Sequence, residues 1–357
     1  MDGDPAAAAR AVADEDPLPG GSGFAGQLAD GRLARDVLGR WPLYVDGDDW
    51  AHDPTALADP EPFPAGHAGG PQAPERRWSL PDPAPVADRD RGVAAVGEAV
   101  ETALDGLDPT VPVAFSGGVD SALVASATEG PLYAVGFPGS HDLEAAREAA
   151  AAMGRADDMR TVELDLSTLE AAVPRVARAV GRTNAMDVAI ALPLFLAARR
   201  AAADGHDCLA VGQGADELFG GYAKVAGAPE DPRVDAETVR GARREVAASL
   251  PDQVPRDVLA LRAGGVEPVA PFLRDAVVRA ALALPGDLLA DGDRRKVALR
   301  AVARDRLPAA LADRDKKAMQ YGTLVSRELD RLARRAGFKR RQADHVSRYV
   351  AHRLADG

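Results

Sequence analysis

Two short loops in this chain have residue types and spacing suited to phosphate chemistry. The first is Ser116-Gly117-Gly118-Val119-Asp120-Ser121. It follows a short apolar, β-rich run (Val111 to Phe115) and precedes a helical stretch. Bare backbone amides at such a junction face an anion, and the two glycines allow close approach and positive φ. Ser116 and Ser121 add hydroxyl donors. Asp120 would be repelled by phosphate unless a cation lay between them, which makes it a candidate Mg²⁺ ligand, with the ion shared with pyrophosphate. No Gly-Lys-Ser/Thr follows, so this is not a Walker A loop, and kinases and P-loop ATPases are disfavoured. By itself the hexapeptide could also be an ordinary Gly-rich strand-to-helix turn.

The second loop is Gly212-Gln213-Gly214-Ala215-Asp216-Glu217-Leu218-Phe219-Gly220-Gly221-Tyr222, directly after another strand-like run ending at Val211. Its bland alternative is a glycine loop with a solvated acidic pair. In an open α/β sheet, loops at the carboxyl ends of strands converge on one crevice. Asp216 is therefore expected to meet Asp120 across one metal ion.

These loops need a sheet to hold them. Strands are expected at Val111–Phe115, Leu132–Phe137, Met159–Leu164 and Asp207–Val211. Helices are expected between them, at Ser121–Thr128, Asp142–Met153 and Asp187–Asp204. Asp142 and Asp187 read as N-caps, and Gly154 and Gly205 as C-terminal stops. Strands alternating with helices imply an α/β fold with a parallel sheet flanked by helices. Val93, Val96, Val100 and Leu104 recur at helical spacing before the first strand. Beyond Tyr222 the apolar spacing is helical and strand signals fade, so a helical C-terminal extension is expected. The first ~90 residues are rich in Pro, Gly and Asp, with strand-like pieces at Arg32–Val37 and Trp41–Val45. That part reads as short and β-rich or partly disordered, joined by a linker from Leu80 to Asp90.

Composition narrows the classes. The chain has 357 residues, 46% of them hydrophobic, enough for a sizeable core. It has 55 acidic against 43 basic residues, and only five lysines: Lys224, Lys296, Lys316, Lys317 and Lys339. A net charge of −12 disfavours nucleic acid as a partner. A Lys-poor acidic surface suits a halophilic, high-salt cytoplasm, and a GC-rich genome would give similar usage. The one cysteine, Cys208, excludes a disulfide framework and a Cys-based metal cluster. No apolar run spans a membrane and no secretory leader is evident, so a cytoplasmic protein is expected. Three of the five lysines fall between positions 296 and 317, and charge developing on an α-phosphate and a leaving pyrophosphate needs cations held in place. Arg294, Arg295, Arg300 and Arg304 crowd nearby, so a solvated basic face is the plain alternative.

The paired loops resemble the ATP-pyrophosphatase domain of the asparagine synthetase family, close to that family's SGGLDSS and GEGADELFGGY. The resemblance runs from about Val93 to Tyr321. It includes Val135-Gly136-Phe137-Pro138-Gly139-Ser140 with Asp142, Pro271-Phe272-Leu273, Lys296 with Leu299-Arg300, and Arg314-Asp315-Lys316-Lys317. It implies an adenine nucleotide alpha hydrolase-like fold, with ATP and Mg²⁺ as cofactors. It also implies that ATP is split into AMP and pyrophosphate to activate a carboxylate. By the same resemblance Phe115, Val135, Val211 and Gly212 line the nucleotide. Lys316, with Lys296, faces the phosphates during adenylation, and Gln213 stands at a catalytic position. The family's synthetase part corresponds to residues 88–357. Residues 1–82, with Gly31 to Asp36, Leu38-Gly39, Pro42-Leu43-Tyr44, Pro64 to His67 and Arg77-Trp78, resemble the last strands of a degenerate glutaminase domain.

Two departures stand out. Glutamine-dependent members have a catalytic cysteine directly after the initiator methionine, and here position 2 is Asp2. Nitrogen is then expected from free ammonia or a separate glutaminase subunit, with a homodimer as one arrangement. Gln213 replaces the usual glutamate, and a carboxamide can orient a substrate but cannot act as a base. Val211 likewise replaces a usual serine. Asparagine synthesis from aspartate is the first expectation. A β-lactam-synthetase-like or other amidating ligase acting on another carboxylate, a non-catalytic regulatory subunit and a tRNA-modifying ATP-pyrophosphatase are the alternatives.

Overall fold

A computed structural model describes residues 1–228, 230–314, 319–341 and 343–356. The chain forms two compact units. One comprises residues 1–107, 212–255 and 270–312, the other residues 108–211, 256–269 and 313–357.

The second unit is built on five parallel strands, in the order Met159–Glu163, Leu132–Gly136, Val113–Ala114, Cys208–Ala210, Glu267–Val269. Every residue of Leu132–Gly136 is buried, because helices cover both faces of a parallel sheet. The covering helices include Val119–Ala125, His141–Ala152, Leu166–Val180 and Ala185–Ala203. The chain turns from one side of Val113–Ala114 to the other, so the adjacent ends of Val113–Ala114 and Cys208–Ala210 mark the reversal of strand order, where such folds bind ligands.

The structure corrects three expectations. Asp142 and Asp187 are not N-caps. Ser140 caps the first helix, accepting from the Leu143 amide, and Asn184 caps the other, accepting from Met186 and Asp187. The carboxylates sit within the first turn, where they also favour the positive helix end. Asp187 there pairs with Arg256 at 2.9 Å. Strands also continue beyond Tyr222: Glu267–Val269 joins the parallel sheet, and Ala290–Asp291 pairs with Arg294–Arg295. Glu267–Val269 carries Pro268, which only an edge position tolerates. The expected stops at Gly154 and Gly205 do hold, with φ of 71° and 93°.

In the first unit, eight short strands lie between Asp2 and Arg76. Five form an antiparallel sheet and three a smaller one. Strand Leu33–Arg35 lies within the first expected stretch, and Tyr44–Asp46 overlaps the end of the second. Helix Pro5–Asp14, capped by Asp4, lays Ala7, Ala8 and Ala11 against Phe24 and Trp78. The helix with Val93, Val96, Val100 and Leu104 runs Arg89–Asp105 and packs on Asp275–Leu282 and Val297–Ala303. Among the described residues no helix is long and apolar enough to cross a membrane.

Candidate active site

In the parallel-sheet unit, Phe115 to Gly118 connect the central strand to helix Val119–Ala125, whose first turn holds Asp120. Gly117 has φ of 72°, and a Cβ there would lie 2.4 Å from the Ala145 carbonyl oxygen, so no larger residue fits this turn. The Ser121 hydroxyl accepts the Ser116 amide at 3.2 Å, lies 3.1 Å from the Ser116 hydroxyl and donates to the Gly118 carbonyl at 3.2 Å. Ser121 is buried and fixes the shape of the loop, whereas Ser116 and Asp120 are half-buried. Phe115, Val135 and Val211 are buried at or just beyond the ends of three neighbouring strands.

Helix His141–Ala152 forms one wall of this region. The Asp142 carboxylate is 3% exposed and lies against Gly322, where a Cβ would be 2.0 Å from Oδ1. Arg314 donates to the Ala145 carbonyl at 3.0 Å and to Glu148 at 2.7 Å. The Phe137 amide donates to the Thr323 carbonyl at 3.2 Å. Thus Arg314 on one side and Gly322 on the other are seated against the same wall. Lys316, between them, lies outside the described residues.

The other unit carries Gln213 and Asp216. Gly214 and Gly220, with φ of 87° and 74°, bracket the short helix Ala215–Phe219. Gly212 and Gln213 are half-buried just before it. The Asp216 carboxylate meets the Lys296 ammonium at 2.7 Å. Lys296 is 6% exposed and has φ of 57°, a left-handed conformation costly for a side chain with a Cβ. Its neighbours hold it there. Arg295 donates to the Gly221 carbonyl at 3.0 Å, and Arg300 donates to the carbonyls of Arg295 (2.8 Å) and Ala312 (3.1 Å). Gly221 makes room for the pair: a Cβ there would lie 1.8 Å from Asp216 Oδ1 and 2.5 Å from Lys296 Cε.

Glu217, next to Asp216, is also buried. It accepts the Tyr222 hydroxyl at 2.5 Å. Burial, then the Asp216 charge, pushes its carboxyl up to about 7, with Tyr222 and Lys296 opposing. Glu217, Gly221, Tyr222 and Arg295 were not singled out by sequence. The doubled glycine before Tyr222 was the available signal, since two adjacent glycines in a loop often mark close packing. Asp120 and Asp216 belong to different units, and among the described residues no group of three or more His, Cys, Asp or Glu side chains could hold a metal. A single carboxylate with water and phosphate oxygens is already a sufficient donor set for Mg²⁺.

A parallel α/β sheet with a glycine-serine loop at the reversal of strand order defines the class of nucleotide-binding α/β proteins. The family model of asparagine synthase matches residues 94–253 and 228–355. This chain belongs to the asparagine synthase family. It is 29% identical over 332 residues to asparagine synthetase B of Escherichia coli, a glutamine-hydrolyzing enzyme by name, covering 81% of this chain and 58% of that one. A glutamine-hydrolyzing asparagine synthetase of Zea mays is 31% identical over 287 residues, covering 70% of this chain and 47% of the relative. A Methanocaldococcus jannaschii protein, provisionally named a glutamine-hydrolyzing asparagine synthetase, is 30% identical over 273 residues, covering 66% and 50%. The chain spans about half the length of the curated relatives it matches.

Proposed function

We propose that this chain activates the side-chain carboxylate of aspartate with ATP and passes the acyl group to ammonia, making asparagine. The observation that carries the reading is the Asp216–Lys296 pair. It is held at 2.7 Å by a strained lysine backbone and a glycine that admits nothing larger, on a loop matching the family's motif.

In the proposed sequence, a carboxylate oxygen attacks the α-phosphorus of ATP. The α–β bridging bond breaks and pyrophosphate leaves, giving β-aspartyl-AMP. Ammonia then adds to the acyl carbon, the carbon–phosphate-oxygen bond breaks, and AMP departs as a proton is lost from nitrogen. Asp120 would hold Mg²⁺, which would offset phosphate charge when bound. Asp216 is proposed as its second carboxylate on the motif alone. Ser116 and the amides of Gly117 and Gly118 would cradle pyrophosphate. Phe115, Val135, Val211 and Gly212 would enclose the adenosine end. Lys296 and Lys316 would stabilise charge as pyrophosphate departs, the point at which fixed cations contribute most. Gln213 would orient the acid by hydrogen bonds.

We propose free ammonia or a separate glutaminase subunit as the nitrogen source. Cys208, whose thiol is pushed up by burial, starts a sheet strand and has no activating amine of its own in this reading. Residues 1–82 are proposed to be a glutaminase-like segment, with residues 88–357 as the synthetase part. A cytoplasm rich in salt is the proposed setting. Gln213 favours one second reading, a related ligase acting on another carboxylate.

The test is pyrophosphate release with ATP, Mg²⁺ and ammonia in high salt, offering each amino acid in turn. Stimulation by aspartate alone supports asparagine synthesis. Stimulation by a different acid favours the related ligase. Silence with every acid favours a non-catalytic subunit.

A further inference from the structure

Residues 1–82 contribute no group to the proposed chemistry, yet one buried arginine carries their influence to the Asp216 loop. Arg40 is 3% exposed. Its Nε donates to Asp36 at 2.9 Å, and its Nη1 donates to the Leu273 carbonyl at 2.8 Å and to Asp275 at 2.6 Å. Asp36 is itself fixed, since its carboxylate accepts the amides of Phe24, Leu38 and Arg40. The guanidinium is therefore anchored in the antiparallel sheet and aimed at the short turn Pro271–Leu273.

Leu273 passes the constraint on. It is 3% exposed and presses on Gly214, where a Cβ would lie 2.4 Å from Leu273 Cδ2. Gly214, at φ of 87°, opens the helix that bears Asp216. Asp36, Arg40, Leu273, Gly214 and Asp216 thus form one run of contacts. The carbonyl of a buried turn needs a donor, and a planar guanidinium serves carbonyl and carboxylate together. Arg279 offers a contrast: it also ties residues 1–82 to the helix Asp275–Leu282, through Asp16 and the Leu18 carbonyl, but from an exposed side chain on the surface.

We propose that Arg40 is a positioning residue for the Asp216–Lys296 site, holding the Gly214 turn in place through Leu273. The proposal rests on reading that site as the ATP site. It gives the N-terminal segment a role in synthesis that needs no glutamine hydrolysis.

The experiment compares full-length Arg40→Met, Arg40→Lys and Arg279→Met with the parent chain. It reads native-state hydrogen exchange of residues 213–222, and kcat and KM for pyrophosphate release with the best acid. Arg40→Met should speed exchange of those amides by about tenfold or more and lower kcat by a similar factor, with KM for the acid nearly unchanged. Arg40→Lys keeps a donor and should recover part of both. Arg279→Met should leave both within about twofold. Unchanged exchange in folded Arg40→Met, or an equal effect from Arg279→Met, overturns the proposal. Should Arg40→Met fail to fold, Leu273→Ala opens the same gap against Gly214 and is read the same way. If the parent chain is silent with every acid, the reading of the site falls, and the exchange comparison by itself decides whether Arg40 braces the loop.

Discussion

Gly221→Ala is the sharpest single perturbation of the site. Gly221 is not in the left-handed region, so alanine meets no conformational objection there. The objection is spatial. The new Cβ would stand 1.8 Å from Asp216 Oδ1 and 2.5 Å from Lys296 Cε, while ordinary carbon contacts fall at about 3.5–4.0 Å. The carboxylate must retreat by more than an ångström and the lysine by about 1 Å, and Arg295, bonded to the Gly221 carbonyl, resists a backbone shift. Because Asp216 is 48% exposed, loss of its pair with Lys296 should cost stability only on the order of 1 kcal/mol. Catalysis is more sensitive: a displacement of about 1 Å costs roughly 100-fold, or about 2.7 kcal/mol of transition-state stabilisation. The assay is kcat/KM for pyrophosphate release beside the thermal midpoint. Gly70→Ala, at a glycine with open space around it, serves as the control. A folded Gly221→Ala chain with parental kcat/KM would refute the claim that this pair serves the reaction.

Two further outcomes are expected. Gln213→Glu should change the aspartate dependence of pyrophosphate release, since it restores a carboxylate where the family has one, and an unchanged dependence would show that this position does not tune the chemistry. Glu217 has a carboxyl raised to about 7 in the fold against 4.5 when exposed, so the folded chain binds the proton more tightly. Its contribution is fully present below pH 4.5 and is lost as pH rises through 7, so metal-free Glu217→Gln should flatten that decline in a pH series of chemical denaturation. A decline of the same size in the variant would count against the assignment.

Much of the parallel-sheet unit was legible because strands buried on both faces read as unbroken apolar runs, as Leu132 to Gly136 does. The Ser116 to Ser121 loop was legible because Gly117 has no substitute in its turn. Less visible were features set by contacts distant in sequence. Ser140 and Asn184 outcompete Asp142 and Asp187 as caps, yet all three residue types suit a helix start. Glu267–Val269 has three residues and a proline, too short for a period-two pattern. The left-handed backbone of Lys296 has no sequence signature, since Arg300 and Arg295 impose it from outside. Glu217 looked like half of a solvated acidic pair, and only burial beside Tyr222 separates it from Asp216.

Transfer of oxygen isotope distinguishes adenylation of the acid from its phosphorylation. Aspartate labelled with ¹⁸O in its side-chain carboxylate is turned over with ATP, Mg²⁺ and ammonia in high salt, and the products are analysed by mass. If the carboxylate attacks the α-phosphorus, one labelled oxygen appears in AMP, with unlabelled pyrophosphate as the other product. Label in inorganic phosphate, with ADP in place of AMP, would contradict it.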